Sequence, residues 1–362
     1  MYFLRSRGIG HKLSRSVLFI TTLLGIGMAG LPAVYAHRML SGTNAWASDY
    51  VLVADMPLGP PGFQDYLTYD QRAHRLYVSH VNRVTVVNTR TNAIVGSVGP
   101  FHDSHGIAIV DRLDKGYADS GADGVVDVFS LRDLKVRKVI KVSPDADGMM
   151  YDNDTNTVLV VAGASKNLTV INPLTDRIVR TISLPGKPEF LAVDGHGNAY
   201  VNISDYREIA KVGIQNGRVE ATWPLHGCKD PHGLAYDGTT HRLFSGCANA
   251  RLIVVNAENG DNLANLPIGP FSDSVKVDTR RHLVFSANEQ TLTIIREAPD
   301  NHYSVVRTVP TFFGGRSMTL DPVSGRLFIA HGNMQLETSL KDFLKLRFGW
   351  NGVDVAEFDP AR

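Results

Sequence analysis

Seven ionisable residues each stand directly before a short apolar strand pattern, and their chemistry suits cation binding or proton transfer. The stretch "DPHGLAYDGTTHRLFSGC" contains one of them: His232 precedes the alternating apolar positions Leu234 and Tyr236. An imidazole can bind a transition metal or move a proton near neutral pH, and carboxylates bind Ca²⁺ or Mg²⁺. The residues at this position, in chain order, are Asp65, His105, Asp147, Glu189, His232, Asp273 and Arg316.

The spacing of these seven residues reveals a sequence repeat. Successive members are separated by 40, 42, 42, 43, 41 and 43 residues. The runs that they introduce are "DYLTYD", "HGIAIVD", "DGMMYD", "EFLAVD", "HGLAYD", "DSVKVD" and "RSMTLD". A period near 42 residues in seven copies is typical of a repeat architecture, so we expect seven equivalent structural units.

Each copy contains four short strand patterns separated by polar turns. In the third copy, "DGMMYD" leads through the turn "DNDTNT" to "VLVVAG", "LTVINP" and "RIVRTI". Four short strands per copy, with no helical period between copies, predict one blade of a β-propeller. We therefore predict an all-β fold over residues 37–362, a seven-bladed β-propeller of four-stranded antiparallel blades.

The two ends of this region suggest how the ring closes. The strand pattern at residues 49–59 has no blade of its own, so we expect it to complete blade seven beside a C-terminal strand at residues 352–358. Such closure removes exposed strand edges. Between the last repeat and that strand, Leu336, Leu340, Phe343 and Leu344 fall at helical spacing, which predicts a helical insertion at about residues 335–348.

Residues 1–36 are expected to be a signal peptide. Four basic residues precede the apolar run "VLFITTLLGIGMAGL", and Val34 and Ala36 suit a cleavage site. A retained membrane anchor is the alternative, but the run is short for a span and contains glycine. Cleavage would leave 33 basic and 36 acidic residues, a net charge of −3, in a periplasmic or secreted protein with no membrane span. That charge makes nucleic acid an unlikely partner.

The chain has two cysteines, Cys228 and Cys247. A single pair in an exported protein predicts a disulfide bond, and the alternative is two unrelated buried thiols.

The repeats resemble the YVTN-type repeat of YncE-like exported bacterial β-propellers. The resemblance covers residues 49–331 and is closest in "GKPEFLAVDGHGNAYVNISD" and in the segment from Cys228 to Asn249. It also places the chain in the wider WD40-like repeat superfamily, although no copy ends in Trp-Asp. The resemblance implies that the first strand of each blade is innermost and begins at the mouth of the central channel. Such folds host binding, scaffolding and catalysis alike.

The resemblance thus implies that the seven residues form a ring at the channel mouth. Three interpretations remain open: a hydrated ring without a ligand, a divalent cation site, or a site for a small molecule, peptide or protein. The cation, Ca²⁺ or Zn²⁺, would be bound by Asp147, Glu189, Asp273, His105 and His232. His102 and Asp103, just ahead of His105, are expected to be solvated.

The favoured function is a binding or scaffold protein with its ligand or ion site at this mouth. The alternative is a metal-dependent hydrolase, similar to propeller lactonases, that uses the same carboxylates; no catalytic residue is assigned. No G-x-S-x-G, H-E-x-x-H or P-loop motif is present. His80 and His331, at the ends of second strands, are expected to be solvated. Glu189→Gln is expected to cost little thermal stability.

Overall fold

Each repeat folds as a four-stranded antiparallel sheet, and there are seven sheets in the computed structural model. The structure describes residues 50–59, 64–80, 82–337 and 347–360. The chain divides into two units, residues 1–47 and 48–362, and every described residue belongs to the second. The seven-bladed propeller predicted from the repeat is therefore confirmed, whereas the predicted signal peptide lies outside the described residues.

The strands of the first six blades follow one another along the chain, from the inside of the ring to the outside. Blade one contains Gln64–Asp70, Arg75–His80, Arg83–Asn88 and Ala93–Val98. Blade two contains Ile107–Val110, Lys115–Ser120, Val125–Ser130 and Val136–Lys141. Blade three contains Ala146–Asp152, Thr157–Ala162, Asn167–Asn172 and Arg177–Ser183. Blade four contains Pro188–Val193, Asn198–Ile203, Glu208–Gly213 and Arg218–Pro224. Blade five contains Pro231–Asp237, Arg242–Cys247, Arg251–Asn256 and Asn262–Pro267. Blade six contains Ser274–Asp278, Leu283–Asn288, Thr291–Ala298 and His302–Pro310.

Blade seven is built from both ends of the propeller. Its strands, from the inside outwards, are Ser317–Leu320, Leu327–Glu337, Arg347–Pro360 and Tyr50–Gly59. The outermost strand pairs Met56 with Val355, so the predicted N-terminal closure is confirmed. The innermost strands of adjacent blades contact each other around the whole ring, including those of blades seven and one.

The predicted helix at residues 335–348 is wrong at both of its ends. Residues 335–337 continue a strand and pair with residues 347–349, with Gln335 opposite Gly349 and Glu337 opposite Arg347. Because this ladder uses the backbone donors and acceptors that a helix needs, the leucine spacing does not decide the local structure. The rest of that prediction, residues 338–346, lies outside the described range. Two short 3₁₀ turns, Asp111–Leu113 and Gly121–Asp123, are the helical segments among the described residues, and none is long and apolar enough to cross a membrane.

The core lies between neighbouring blades. The alternating apolar residues of the second and third strands face the adjacent sheets; for example, Leu159 and Val161 of blade three pack with Leu191 and Val201 of blade four. All four side chains are fully buried. Burial of one such side chain is worth about 2 kcal/mol, and this packing is repeated at every interface around the ring.

The aspartate that ends most of the first strands has a structural role. The Asp237 carboxylate accepts hydrogen bonds from the backbone N–H and the hydroxyl of Thr239, at 2.7 and 2.6 Å. Asp152 and Asp321 bind the backbone N–H groups of Thr155 and Val323 in the same way. These side chains satisfy turn donors that would otherwise be unpaired, which explains why aspartate recurs at this position.

The predicted disulfide bond is confirmed. Cys228 lies ahead of the innermost strand of blade five and Cys247 ends the second strand, with their Cα atoms 5.5 Å apart. Both residues are buried. The bridge therefore fixes the segment that leads into Pro231 and His232 at the channel mouth.

Candidate functional site: the mouth of the central channel

The seven ionisable residues predicted from the repeat meet at one end of the central channel. On one side of the ring, the Nδ1 atom of His232 lies 3.5 Å from Glu189 Oε2 and 3.3 Å from Asp273 Oδ1. The Nε atom of Arg316 lies 3.2 Å from Asp273 Oδ2. Residues from four consecutive blades are thus joined by charged contacts, because each innermost strand begins at the same end of the ring.

The close approach of the innermost strands accounts for the glycines that follow three ring residues. A Cβ atom on Gly106 would lie 2.2 Å from the carbonyl oxygen of Asp147. A Cβ atom on Gly233 would lie 2.8 Å from the backbone nitrogen of Val275. Since real Cβ atoms do not approach this closely, glycine lets neighbouring strands converge and brings the preceding side chains together.

Asp65 and Asp147 are the ring carboxyls with the strongest shifts in pKa. Burial, with the nearby charges of Asp273 and Asp147, raises the pKa of Asp65 well above its usual range. Burial also raises the pKa of Asp147 to about 7. The charge of His105 lowers this pKa, whereas the charges of Glu189, Asp119 and Asp273 raise it. The Oδ1 atom of Asp147 is buried without a hydrogen-bond partner among the described residues. Asp147 is therefore a carboxyl group that holds a proton close to neutral pH.

His105 is held by an acidic residue that the sequence analysis did not assign to the site. The Asp119 carboxylate, from the second strand of the same blade, accepts the backbone N–H of His105 at 2.9 Å and lies 3.3 Å from its Nδ1 atom. Burial raises the pKa of Asp119 to about 6. Burial lowers the pKa of His105, but Asp119 and the nearby carboxylates outweigh it and raise that pKa to about 10. The two side chains therefore form an ion pair at neutral pH.

A signal for Asp119 exists in the sequence. It is an acidic residue inside "KGYADS", a strand of the kind expected to be buried, and its exposure in the structure is 0%. A buried carboxylate needs a charged or hydrogen-bonding partner, so its presence there points to a nearby base.

Glu189 is a buried member of the ring with several partners. Lys187 Nζ lies 2.7 Å from its Oε1 atom, and Ser204 donates a hydrogen bond of 3.2 Å to the same oxygen. His232 contacts its other oxygen. Burial lowers the pKa of His232, whereas the hydrogen bond and charge of Asp273, with Glu189 and Asp230, raise it to about 9. His232 is therefore a cation between carboxylates at neutral pH.

The backbone at His232 is fixed by the neighbouring blade. Asn202, on the second strand of blade four, donates through its Nδ2 atom to the His232 carbonyl oxygen at 2.8 Å. Its Oδ1 atom accepts a hydrogen bond of 3.0 Å from Ser245. This buried network orients the start of the blade-five strand, and with it the imidazole.

Carboxyl groups outnumber basic groups at the mouth. Besides the seven ring residues, Asp103 lies 3.6 Å from His105, and Asp230 lies 3.3 Å from His232. His102 instead pairs with Asp123 on the exposed rim. The carboxyl groups are Asp65, Asp103, Asp119, Asp147, Glu189, Asp230 and Asp273, and the basic groups are His105, Lys187, His232 and Arg316.

Two aromatic residues lie immediately below the ring and span the channel. Tyr66 follows Asp65 in blade one, and Phe190 follows Glu189 in blade four, on the opposite side of the ring. Their rings stack with centroids 5.0 Å apart. Burial and the charges of Asp147 and Asp65 raise the pKa of the Tyr66 phenol well above its usual value. This pair separates the charged mouth from the channel beneath.

A second group of metal-binding residue types occurs in blade seven, outside the ring. Asp55, His331 and Asp354 lie on its three outer strands, with ligand atoms within 4.8 Å of one another. His331 Nε2 is 2.9 Å from Asp55 Oδ1, and the imidazole stacks on Phe312 with centroids 4.1 Å apart. The prediction that His331 and His80 are solvated is wrong, because both are buried.

The residues predicted to bind a metal are brought to one mouth, but not as a compact ligand set. Within the described part of the chain, the Asp55–His331–Asp354 group alone places three such ligand atoms within 4.8 Å. His232 contacts Glu189 and Asp273, and the charge of His105 acts on Asp147 by lowering the pKa of that carboxyl. Metal binding by this set remains a prediction.

Comparisons with known proteins identify the fold and nothing finer. No family model matches the chain, and no curated protein is similar to it. The similar solved structures include three that match most of this chain. A hydrazine synthase of Kuenenia stuttgartiensis is 16% identical with a TM-score of 0.66, covering 85% of this chain and 99% of that one. The WD40 repeats of RRP9 are 11% identical, with a TM-score of 0.72 and coverage of 86% and 100%. U3-55K is 10% identical, with a TM-score of 0.70 and coverage of 83% and 98%. The chain is similar to these proteins as a β-propeller.

Proposed function

We propose that this chain is an exported binding protein of the YncE-like kind, which takes up the positively charged part of a ligand at the channel mouth. The excess of carboxyl groups over basic groups supports this proposal. In particular, Asp147 has a pKa near 7 and a buried Oδ1 atom without a hydrogen-bond partner among the described residues. A cation bound beside Asp147 would favour the ionised form of this carboxyl group, because opposite charges attract. Binding of the cation would therefore release the proton that Asp147 holds.

Two kinds of ligand share this chemistry: a hydrated divalent cation such as Ca²⁺, and an organic ammonium group. Among the described residues, no three ring side chains bring ligand atoms within 4.8 Å of one another, which favours a hydrated ion or an ammonium group over a dehydrated metal bound directly by three side chains. Zn²⁺ prefers a compact set of nitrogen and sulfur ligands, whereas Ca²⁺ accepts oxygen ligands and water. Export is supported by the Cys228–Cys247 bridge, because disulfides persist in oxidising compartments.

The hydrolase alternative receives less support from the geometry. A metal-dependent hydrolase needs an ion that polarises the substrate or activates water, held in a fixed coordination geometry. The mouth carboxylates instead contact Lys187, Arg316 and two histidines. A binding role requires only that a ligand cation displace the proton of Asp147.

Calorimetric titration at pH 7 tests the proposal. Ca²⁺, Mg²⁺, Zn²⁺ and putrescine are titrated into the oxidised protein in two buffers with different ionisation enthalpies. At least one ligand should bind with proton release, seen as a heat that depends on the buffer. Asp147→Asn should weaken this binding by about tenfold or more and reduce the buffer dependence, because Asp147 supplies part of the released proton.

Asp300→Asn is the matched control, since Asp300 lies on an exposed turn of blade six and asparagine tolerates its positive φ of 60°. This variant should bind like the wild type. The proposal fails if none of the four cations binds, or if Asp147→Asn binds as tightly as the wild type. Binding of Ca²⁺ but not of putrescine would identify the ligand as a divalent cation. Binding of putrescine but not of Ca²⁺ would identify it as an organic ammonium group.

A further inference from the structure

The channel below the Tyr66–Phe190 pair widens into a cavity of about 540 Å³. Its walls come from the innermost strands and from the turns at their far ends, such as Gln71 and Arg72. A strand of five residues rises roughly 17 Å, so the outer end of this cavity is on the opposite face of the propeller from the charged ring. The volume falls within the range of small-molecule sites.

The walls of this cavity combine apolar and polar groups in similar shares, and three of the apolar side chains are flexible methionines. Met149, Met150 and Met318 line it, together with Ile107 and Tyr151. Methionine adapts its shape to irregular apolar ligands and makes favourable contacts with aromatic rings. The methionine-rich part of the wall therefore suits an apolar body.

Two cations line this cavity, Arg72 at its outer end and Lys276 at its inner end. Lys276, on the innermost strand of blade six, lines the cavity and places its Nζ atom 5.0 Å from the centre of the Phe190 ring. Burial lowers the pKa of Lys276 to about 8, and burial is the cause of the whole shift. Within the described ranges, the ammonium group has no ion pair and no hydrogen bond. A half-buried cation without a counter-charge costs free energy that a bound anion would recover.

The other ionisable groups of the cavity are already engaged or lie at its outer end. Asp70 accepts the backbone N–H of Ala73 in a turn, at 3.0 Å. Asp111 lies 3.9 Å from Arg72 on the exposed rim. The tyrosines that line the cavity are Tyr66, Tyr69 and Tyr151. Lys276 is therefore the cavity-lining cation that no carboxylate neutralises.

We propose that this cavity is a second ligand site, which binds an organic monocarboxylate with its carboxylate on Lys276 and its apolar body against the methionines. A single ammonium group matches a single negative charge, and the methionines suit an apolar body. The position of Lys276 beside Phe190 places the carboxylate at the inner end of the cavity. This site is distinct from the proposed cation site, and the aromatic pair lies between them.

Matched probes that differ only in the head group test the proposal. Octanoate, octanamide and octylamine are titrated into the wild-type protein at pH 7 by calorimetry, and phenylbutyrate is added as a bulkier carboxylate. We expect the carboxylates to bind and octylamine to be excluded, with octanamide at least tenfold weaker than octanoate. Lys276→Met, which keeps the length and apolar contacts of the side chain, should weaken octanoate binding at least tenfold.

Lys166→Met is the control, because Lys166 is exposed and pairs with Asp205 on the surface. This variant should bind octanoate like the wild type. A second readout uses the wild type alone: octanoate should bind about tenfold more weakly at pH 9 than at pH 7, because the free lysine loses its charge above pH 8. That readout remains decisive if Lys276→Met fails to fold.

Three results would overturn the proposal. One is equal binding of octanoate and octanamide, and another is octanoate binding that neither Lys276→Met nor pH 9 reduces. The third is the absence of binding by both carboxylates up to about 10 mM, which would place any affinity below the useful range. The cation titrations at the mouth do not bear on any of these results, so the two proposals stand or fall separately.

Discussion

Tyr66 of blade one and Phe190 of blade four stack across the central channel, with their ring centroids 5.0 Å apart. Few contacts in a seven-bladed ring join blades that are not neighbours, and this one spans the axis. It places an apolar layer between an acidic mouth and a cavity that contains Lys276. The two proposed sites, of opposite charge preference, would therefore share one channel.

The stacked pair should contribute a measurable interaction energy. In a double-mutant cycle of Tyr66→Ala and Phe190→Ala, we expect a coupling of about 1 kcal/mol in the free energy of unfolding, as for other aromatic pairs. Urea denaturation supplies the four values. The control cycle combines Phe190→Ala with Tyr50→Ala, a residue of the outermost strand of blade seven, and should be additive. Additivity in both cycles would show that the stacking contributes no measurable free energy to stability.

Asp147→Asn should stabilise the protein in a pH-dependent manner. The pKa of Asp147 is raised from 3.8 to about 7, so between these values the folded protein binds more protons than the unfolded chain, and stability falls as pH rises. The variant removes this loss. We expect no advantage near pH 4 and an advantage of about 2 kcal/mol at pH 7 and above, from thermal unfolding across this range. An advantage that does not change with pH would contradict the prediction.

His105→Gln should destabilise the protein, because it leaves the buried Asp119 carboxylate without its ion-pair partner. Loss of one partner of a buried pair costs about 3 kcal/mol. Because folding raises the pKa of His105 to about 10, its protonated form stabilises the fold fully below pH 6.5, and this contribution is lost as the pH rises through about 10. The destabilisation caused by His105→Gln should therefore shrink towards pH 10. His102→Gln, at an exposed pair, should change the free energy of unfolding by less than about 0.5 kcal/mol.

Glu189→Gln should cost stability, in contrast to the expectation from the sequence. Its carboxylate is buried and contacts Lys187, Ser204 and His232, so an amide leaves two cations partly unpaired. We expect a loss of about 1–2 kcal/mol in urea denaturation at pH 7. Glu258→Gln, on an exposed turn, is the control and should be neutral. A stabilised Glu189→Gln protein would mean that repulsion between the ring carboxylates outweighs these contacts.

The two faces of the strand that closes the ring should contribute unequally to the free energy of unfolding. Met56 is buried against Leu58, Val353 and Val355, whereas Val53 is 48% exposed on the same strand. Met56→Ala should cost about 3 kcal/mol through lost burial and a residual cavity, and Val53→Ala about 0.5 kcal/mol or less. Equal effects in denaturant titrations would show that residues 50–59 do not complete blade seven in solution.

The sequence by itself determined the blade number and the four strands of each blade, and the resemblance of the repeats to a known propeller repeat placed the seven ionisable residues at the channel mouth. These features are periodic: a two-residue alternation decides which face of a strand is buried, and a 42-residue period places Asp65 and its six equivalents at the same point of each blade. The pairing of Cys228 with Cys247 could also be predicted, because both cysteines belong to one blade.

Only the tertiary structure decided which groups meet across the ring. Asp119 supports His105, Tyr66 reaches Phe190, and Lys276 lines the cavity without a carboxylate partner among the described residues; none of these relationships repeats from blade to blade. The leucine pattern after residue 335 suggested a helix, but pairing with residues 347–349 makes Gln335–Glu337 a strand. The physical reason is common to all of these cases. Local patterns report which surface of an element is buried, whereas partners, charges and backbone hydrogen bonds depend on what the closed ring brings against it.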